Sequence, residues 1–107
     1  MEKIIINIAQ DFSETPGPRY KKDGEFSGEE FRDDILIPKY EEAVAKKVKL
    51  EINLDGGYGY PPSFLEESFG GLVRKFGKED VAKILEFVSL EEPYLIETIQ
   101  KYMEKAI

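Results

Sequence analysis

Apolar residues fall along this chain in two rhythms. From Lys3 to Ala9 they are nearly continuous, with Ile4, Ile5, Ile6 and Ile8 in close succession, which predicts a central strand covered on both faces. From Val48 to Leu54 they alternate: Val48, Leu50, Ile52 and Leu54 are separated by Lys49, Glu51 and Asn53. That strand is expected to have one partly wet face, as near a sheet edge or beside polar partners. Ile84 to Val88 reads as a third, short strand.

Between the strands the period lengthens to that of a helix. Ser27 followed by Glu30 is a capping box, so a helix should begin near Gly28, with Phe31 and Ile35 opening its buried face. Pro38 falls where its ring clashes with the carbonyl of Asp34, which predicts a kinked helix or two short ones meeting near Ile37. Tyr40, Val44 and Val48 continue the face before Lys46 and Lys47 close the last turn. Ser63 with Glu66 is a second capping box. Leu65, Phe69, Leu72, Val73 and Phe76 then form one stripe that Gly77 is placed to end. Residues 78–83 suit a short turn of helix. Ser89 with Glu92 is a third capping candidate, with Pro93 in the first turn of a final helix whose core side carries Leu95, Ile99, Tyr102, Met103 and Ala106.

The remainder is loop. Pro16 and Pro18 deny a ladder its donors, and Arg19 to Phe26 could fold as a small hairpin about Asp23-Gly24. The order β-α-β-α-β-α predicts one α/β domain over residues 1–107, a small sandwich with a possible short extra hairpin.

Composition narrows the chemistry. The 107 residues contain no cysteine and no histidine, which removes disulfides, thiol nucleophiles and the commonest general base and metal ligand. The net charge of −7 opposes a polyanion. The short basic runs Arg19, Lys21, Lys22 and Lys46, Lys47, Lys49 read as solvated surface, so no nucleic-acid partner is expected. With no signal-like or bilayer-length apolar segment, a soluble cytoplasmic protein without a membrane partner is expected.

The stretch between the second strand and its helix carries the interest: Asp55-Gly-Gly-Tyr-Gly-Tyr-Pro-Pro-Ser63. It is not a phosphate loop, because Pro61 and Pro62 lack amides and no Gly-Lys-Ser/Thr ending follows. It is not a dinucleotide fingerprint either, since its glycines precede a rigid Tyr-Pro-Pro segment. Asp55 with Glu66 or Glu67 has the composition for Mg²⁺ or acid-base work, but acids at a helix start more commonly answer to the macrodipole; no metal, cofactor or catalytic residue is assigned. Tyr58, Tyr60, Pro61 and Pro62 offer rigid apolar surface with hydroxyl tips, suited to recognition or to folding down over the core. Ser63 can be a cap, an anion donor or a phosphate acceptor. Gly70 and Gly71 inside a helix point to something that needs a face free of side chains.

The string Leu54-Asp55-Gly56, then Gly59-Tyr60-Pro61-Pro62-Ser63-Phe64-Leu65-Glu66-Glu67 and Phe69-Gly70-Gly71-Leu72, with Phe26-Ser27-Gly28-Glu29 and Phe31 upstream, resembles the STAS-like domain family of unknown function. That family is similar to STAS domains of anti-sigma-factor antagonists, in which a serine at the start of the helix after a central strand is phosphorylated by a histidine-kinase-like ATPase. The matching position is Ser63. The resemblance implies a STAS-like fold and a non-enzymatic regulatory module that switches protein partners, with Asp55, Gly57, Tyr58, Tyr60, Pro61, Pro62, Phe64 and Glu67 in the binding region. The antagonists have a short Asp-Ser-Ser-Gly turn, whereas seven residues separate Asp55 from Ser63 here. Glu66 and Glu67 are expected to sit close to any phosphate and repel it. Two other readings stand beside this one: a small nucleotide- or anion-binding protein using Asp55, and a self-assembling subunit paired through its sheet edge or loop. A monomer or weak homo-oligomer is expected.

Overall fold

A computed structural model describes residues 2–106. Three parallel strands, β1 (Lys3–Asn7), β2 (Lys49–Asn53) and β3 (Leu85–Val88), lie in the order β1-β2-β3, with Ile4 opposite Leu50 and Leu50 opposite Leu85. Each crossover steps one strand in the same direction, so the helices gather on one face. The side chains of β2 report this directly: Leu50 and Ile52 are fully buried, while Lys49 is exposed and Glu51 and Asn53 are half-buried. The fold is therefore an α/β domain of two layers with one wet sheet face.

This order corrects two expectations. β1 is an edge strand and β2 the central one. The isoleucine run is not covered on both sides, because Ile5 lies on the wet face and is 54% exposed. The run also leaves the sheet early: Ile8 is buried from the single turn α1 (Ile8–Asp11), capped by Asn7, whose Oδ1 accepts from Gln10 N–H. The alternation in β2 marks a central strand with one side in water, where Lys3 Nζ pairs with Glu51 at 2.8 Å and approaches Glu86 at 3.9 Å.

The helical layer is built from two long helices, each carrying a π turn. α2 (Gly28–Phe31) runs through the π turn Arg32–Leu36 into α3 (Ile37–Lys46). Ser27 Oγ accepts from Glu30 N–H at 3.0 Å, which forms the forward half of the expected box. Pro38 does not split the helix, whose backbone stays right-handed helical through Leu36 and Ile37. The Ile37 N–H reaches back to Arg32 O, and this wider turn carries the chain past the proline. α4 (Pro62–Leu65) likewise passes through the π turn Glu66–Gly70 into α5 (Gly71–Phe76). α6 (Lys78–Ile84) and α7 (Tyr94–Lys105) complete the layer, with α7 lying chiefly on the second π turn. Ser89 is not a cap: its hydroxyl donates to Glu92 O at 2.7 Å in the turn before Pro93, the residue that precedes α7.

An aromatic row crosses this layer. Tyr60 to Phe64, Phe64 to Phe31, Phe31 to Phe69 and Phe69 to Phe87 have ring centroids 6.3, 5.7, 6.2 and 5.4 Å apart. Each such pair adds about 0.5–1.5 kcal/mol beyond its buried area. The expected hairpin at 19–26 does not form strands; Lys21–Asp23 is a single 3₁₀ turn. The loop is still closed at its base, where Gly17 N–H donates to Phe26 O at 2.8 Å and Gly28 N–H to Pro18 O at 2.9 Å.

Gly28 is where the two long helices touch. A Cβ there would stand 2.7 Å from Phe64 O, a backbone atom that cannot move aside alone. Gly28→Ala should therefore cost about 1–3 kcal/mol, the usual range for overpacking, measured as a lower urea midpoint. An unchanged midpoint would show that the helices have room to separate.

Candidate functional site

The carboxyl ends of the three strands open toward one edge of the domain, where a parallel sheet offers its crevice. β2 ends at Asn53, whose Oδ1 accepts from Asp55 N–H at 2.9 Å and turns the chain. The Asp55 carboxylate then accepts from Leu90 N–H at 3.1 Å and Glu91 N–H at 2.9 Å. Glu91 answers by accepting from Gly56 N–H at 2.8 Å. The loop after β2 and the loop after β3 are thus clamped to each other in both directions. Tyr58 N–H donates to Glu14 O at 2.9 Å and ties in the loop that follows α1.

This clamp divides the expected binding residues. Tyr58 projects outward, 83% exposed, and Pro62 is exposed beside half-buried Pro61 and Gly57. Tyr60 folds down instead: its hydroxyl donates to Leu54 O at 2.8 Å, and burial, with Asp55, Glu92 and Glu91 nearby, pushes its pKa up to about 12. Phe64 is fully buried in the aromatic row and is core rather than contact surface. Glu67 is also withdrawn, 9% exposed beneath arginines. Asp55 spends its carboxylate on the clamp while Glu66 and Glu67 spend theirs on arginines, so the acid pair considered for Mg²⁺ is not assembled. Among the described residues no group of three or more such side chains is arranged to hold a metal ion.

The crevice itself, about 580 Å³, is lined by Asn7, Gln10, Glu14, Asp55 and Glu91 among others, with no lysine or arginine. An anion placed there would face three carboxylates. Leu90, 81% exposed, and Tyr94, 62% exposed, stand on the same side, and neither was marked by sequence reasoning. Leu90 falls outside every apolar period, and that was its one available signal.

Ser63 begins the other half of the site, and not as a cap. Pro61 holds the cap position with extended backbone and Pro62 is the first helical residue, which leaves Ser63 second in the helix. The two prolines start the helix two residues earlier than the Ser-Phe-Leu-Glu spacing suggests. The Ser63 hydroxyl is half-buried and makes no hydrogen bond among the described residues. Glu66 does not reach back to it. Its carboxylate accepts instead from Arg74 at 2.7 and 3.3 Å and from Arg19. Glu67 accepts from Arg19 at 3.2 Å and from Arg32, which also donates to Asp33 at 2.9 Å.

Three arginines thus meet three carboxylates over the facing π turns. Gly70 and Gly71 make the space. A Cβ on Gly70 would lie 2.5 Å from Glu66 Oε2, and one on Gly71 would lie 2.9 Å from Arg32 Cδ. The face free of side chains is needed for these charged groups rather than for the sheet. Glu66 and Glu67, the two carboxylates expected to repel a phosphate, are each paired with arginine.

With this geometry described, comparison with known families is decisive. The family model for the STAS-like domain of unknown function (DUF4325) matches residues 27–95. The chain belongs to that family. The matched span of this STAS-like domain starts at the Ser27 cap, contains both π turns and the loop of Tyr58, and ends in the first turn of α7. No curated protein and no solved structure matches the chain. Among the described residues no helix of this STAS-like domain is long and apolar enough to cross a membrane.

Two titrations check the site. The Arg74 and Arg19 hydrogen bonds hold the Glu66 carboxyl below its ordinary value, against the opposing effect of burial. A lowered folded pKa contributes stability above the unfolded value and loses it as pH falls through the folded one. The acid limb of the stability curve, from about pH 5 downward, should therefore be shallower in Glu66→Gln than in the natural protein; superimposable limbs would show that Glu66 is not held. Tyr60 has the opposite sign. Its raised pKa means that stability is intact below the ordinary tyrosine value near 10 and falls away as pH rises toward about 12. In a tyrosinate absorbance titration, the late step should disappear in Tyr60→Phe.

Proposed function

We propose that this STAS-like domain is a non-enzymatic regulatory module that docks a protein partner at the carboxyl end of its sheet, and that phosphorylation of Ser63 controls the docking. The observation that carries the reading is the exposure of Tyr58 and Leu90 on two loops that are clamped together. Both side chains are more than four-fifths exposed, yet both stand on loops fixed by the Asp55 and Glu91 clamp. Large apolar groups on prefixed backbone lose little entropy on contact, which is the character of an interface anchor. The crevice beside them is acidic, so the partner segment is apolar and cationic.

Ser63 suits the switch for a separate reason. Its hydroxyl lies one turn before Glu66 and Glu67, the two residues held by Arg19. Transfer of the ATP γ-phosphoryl group by a histidine-kinase-like ATPase would form the Ser63 Oγ–P bond, release ADP and leave the hydroxyl proton to solvent. The added charge of about −1.5 to −2 would compete with both carboxylates for Arg19, and through Arg19 it would reach the loop before α2. Pro61 and Pro62 carry no N–H, so they offer the phosphate no backbone cradle.

The test combines a histidine-kinase-like ATPase, ATP and the full chain, followed by intact mass and a binding measurement. One added phosphate is expected, absent in Ser63→Ala. Tyr58→Ala should weaken the complex by at least about tenfold, as loss of an interface anchor does. Neither phosphate nor complex, or a complex indifferent to both substitutions, would overturn the proposal.

A further inference from the structure

At the opposite end of the sheet, α3 and α6 leave a groove between them. It consists of two adjoining hollows of about 550 and 510 Å³ that share Val44, Lys83 and Ile84. Phe76 and Val48 extend its apolar floor, and Val44 stands in the middle, 47% exposed. The rim has a direction. Glu41 and Asp80 border one hollow, Lys47 and Lys49 border the other together with Glu2, and Lys83 stands between them, so one end is net acidic and the other net basic.

The charges of α3 separate in the same way. Lys39, Glu42 and Lys46 satisfy one another, with Glu42 lying 3.8 Å from Lys39 and 2.8 Å from Lys46. Glu41 and Lys47, which border the groove, form no ion pair among the described residues, and neither do Asp80 and Lys83 across it. Glu41 lies three residues before Val44, and Lys47 lies three residues after it.

A surface that is acidic at one end, basic at the other and apolar between is complementary to itself once turned through 180°. We propose that a second copy of this chain occupies the groove, with the two α3 helices antiparallel and crossing at Val44. Glu41 of each copy then faces Lys47 of the other, and the same contact is made twice. This interface uses neither the sheet edge nor the loop after β2, and it leaves the carboxyl ends of both sheets free. It is independent of the proposed partner switch and stands or falls without it.

Sedimentation equilibrium of the full chain over a range of concentrations tests the arrangement. A reversible dimer is expected. Val44→Asp should weaken it by at least about tenfold, while circular dichroism and the urea midpoint show that this exposed position does not hold the fold. Glu41→Lys should weaken the dimer as well, and combining it with Lys47→Glu should restore it, because exchanging the two charges preserves the pairing. A monomer at every concentration would overturn the proposal and leave the groove to a different partner. So would a dimer unaffected by Val44→Asp, or a double charge exchange that fails to rescue association.

Discussion

Glu67 is a carboxylate that cannot leave the protein without dismantling it. It lies 9% exposed within the second π turn, held by Arg19 and Arg32 with Arg74 nearby. A carboxylate withdrawn this far from water needs cationic partners to offset its lost hydration, and here it has them from three separate segments. The three arginines come from the loop before α2, from the first π turn and from α5. Their meeting fixes the register of the two long helices. The close approach of Gly28 to Phe64 and the widened turns at 32–36 and 66–70 are what that meeting requires of the backbone.

Local rules could find much of this but not the meeting itself. The Ser27 cap, the existence of the three strands and most of the helix faces follow from spacing within a few residues, although Val44, expected on a buried face, is 47% exposed and Ile5 points to water. Arg19 and Glu66 are 47 residues apart, and no local signal pairs them. The Gly70-Gly71 doublet announced that something comes close, and only the coordinates reveal that the neighbours are Glu66 and Arg32. Strand order escaped for a similar reason. Alternation in β2 reports one wet face, which an edge strand and the centre of a half-covered sheet share. At Ser63 the spacing of a capping box was present, but Pro61 and Pro62 moved the helix start, and a proline at the cap position outweighs a hydroxyl two residues later.

The two ends of the sheet differ in how they hold their loops. At the carboxyl end, side chains bond to backbone amides across the gap: Asp55 to Leu90 and Glu91, and Glu91 to Gly56. The result is stiff backbone carrying exposed Tyr58 and Leu90. At the amino end the corresponding bond is Lys49 Nζ to Lys83 O, and the surface there is the groove of Val44. Membership of the STAS-like family covers the segment that joins these ends and does not by itself assign either of them a task.

The bare side of the sheet completes the picture. Lys3, Glu51 and Glu86 lie in a charged row across all three strands. To stack another β-layer on this row, a newcomer would have to strip water from interlocked ions and receive only Ile5 and the half-buried Val88 as greasy compensation. Growth into layered or fibrous aggregates through that surface is accordingly discouraged, and the domain can display half its sheet to water without becoming adhesive.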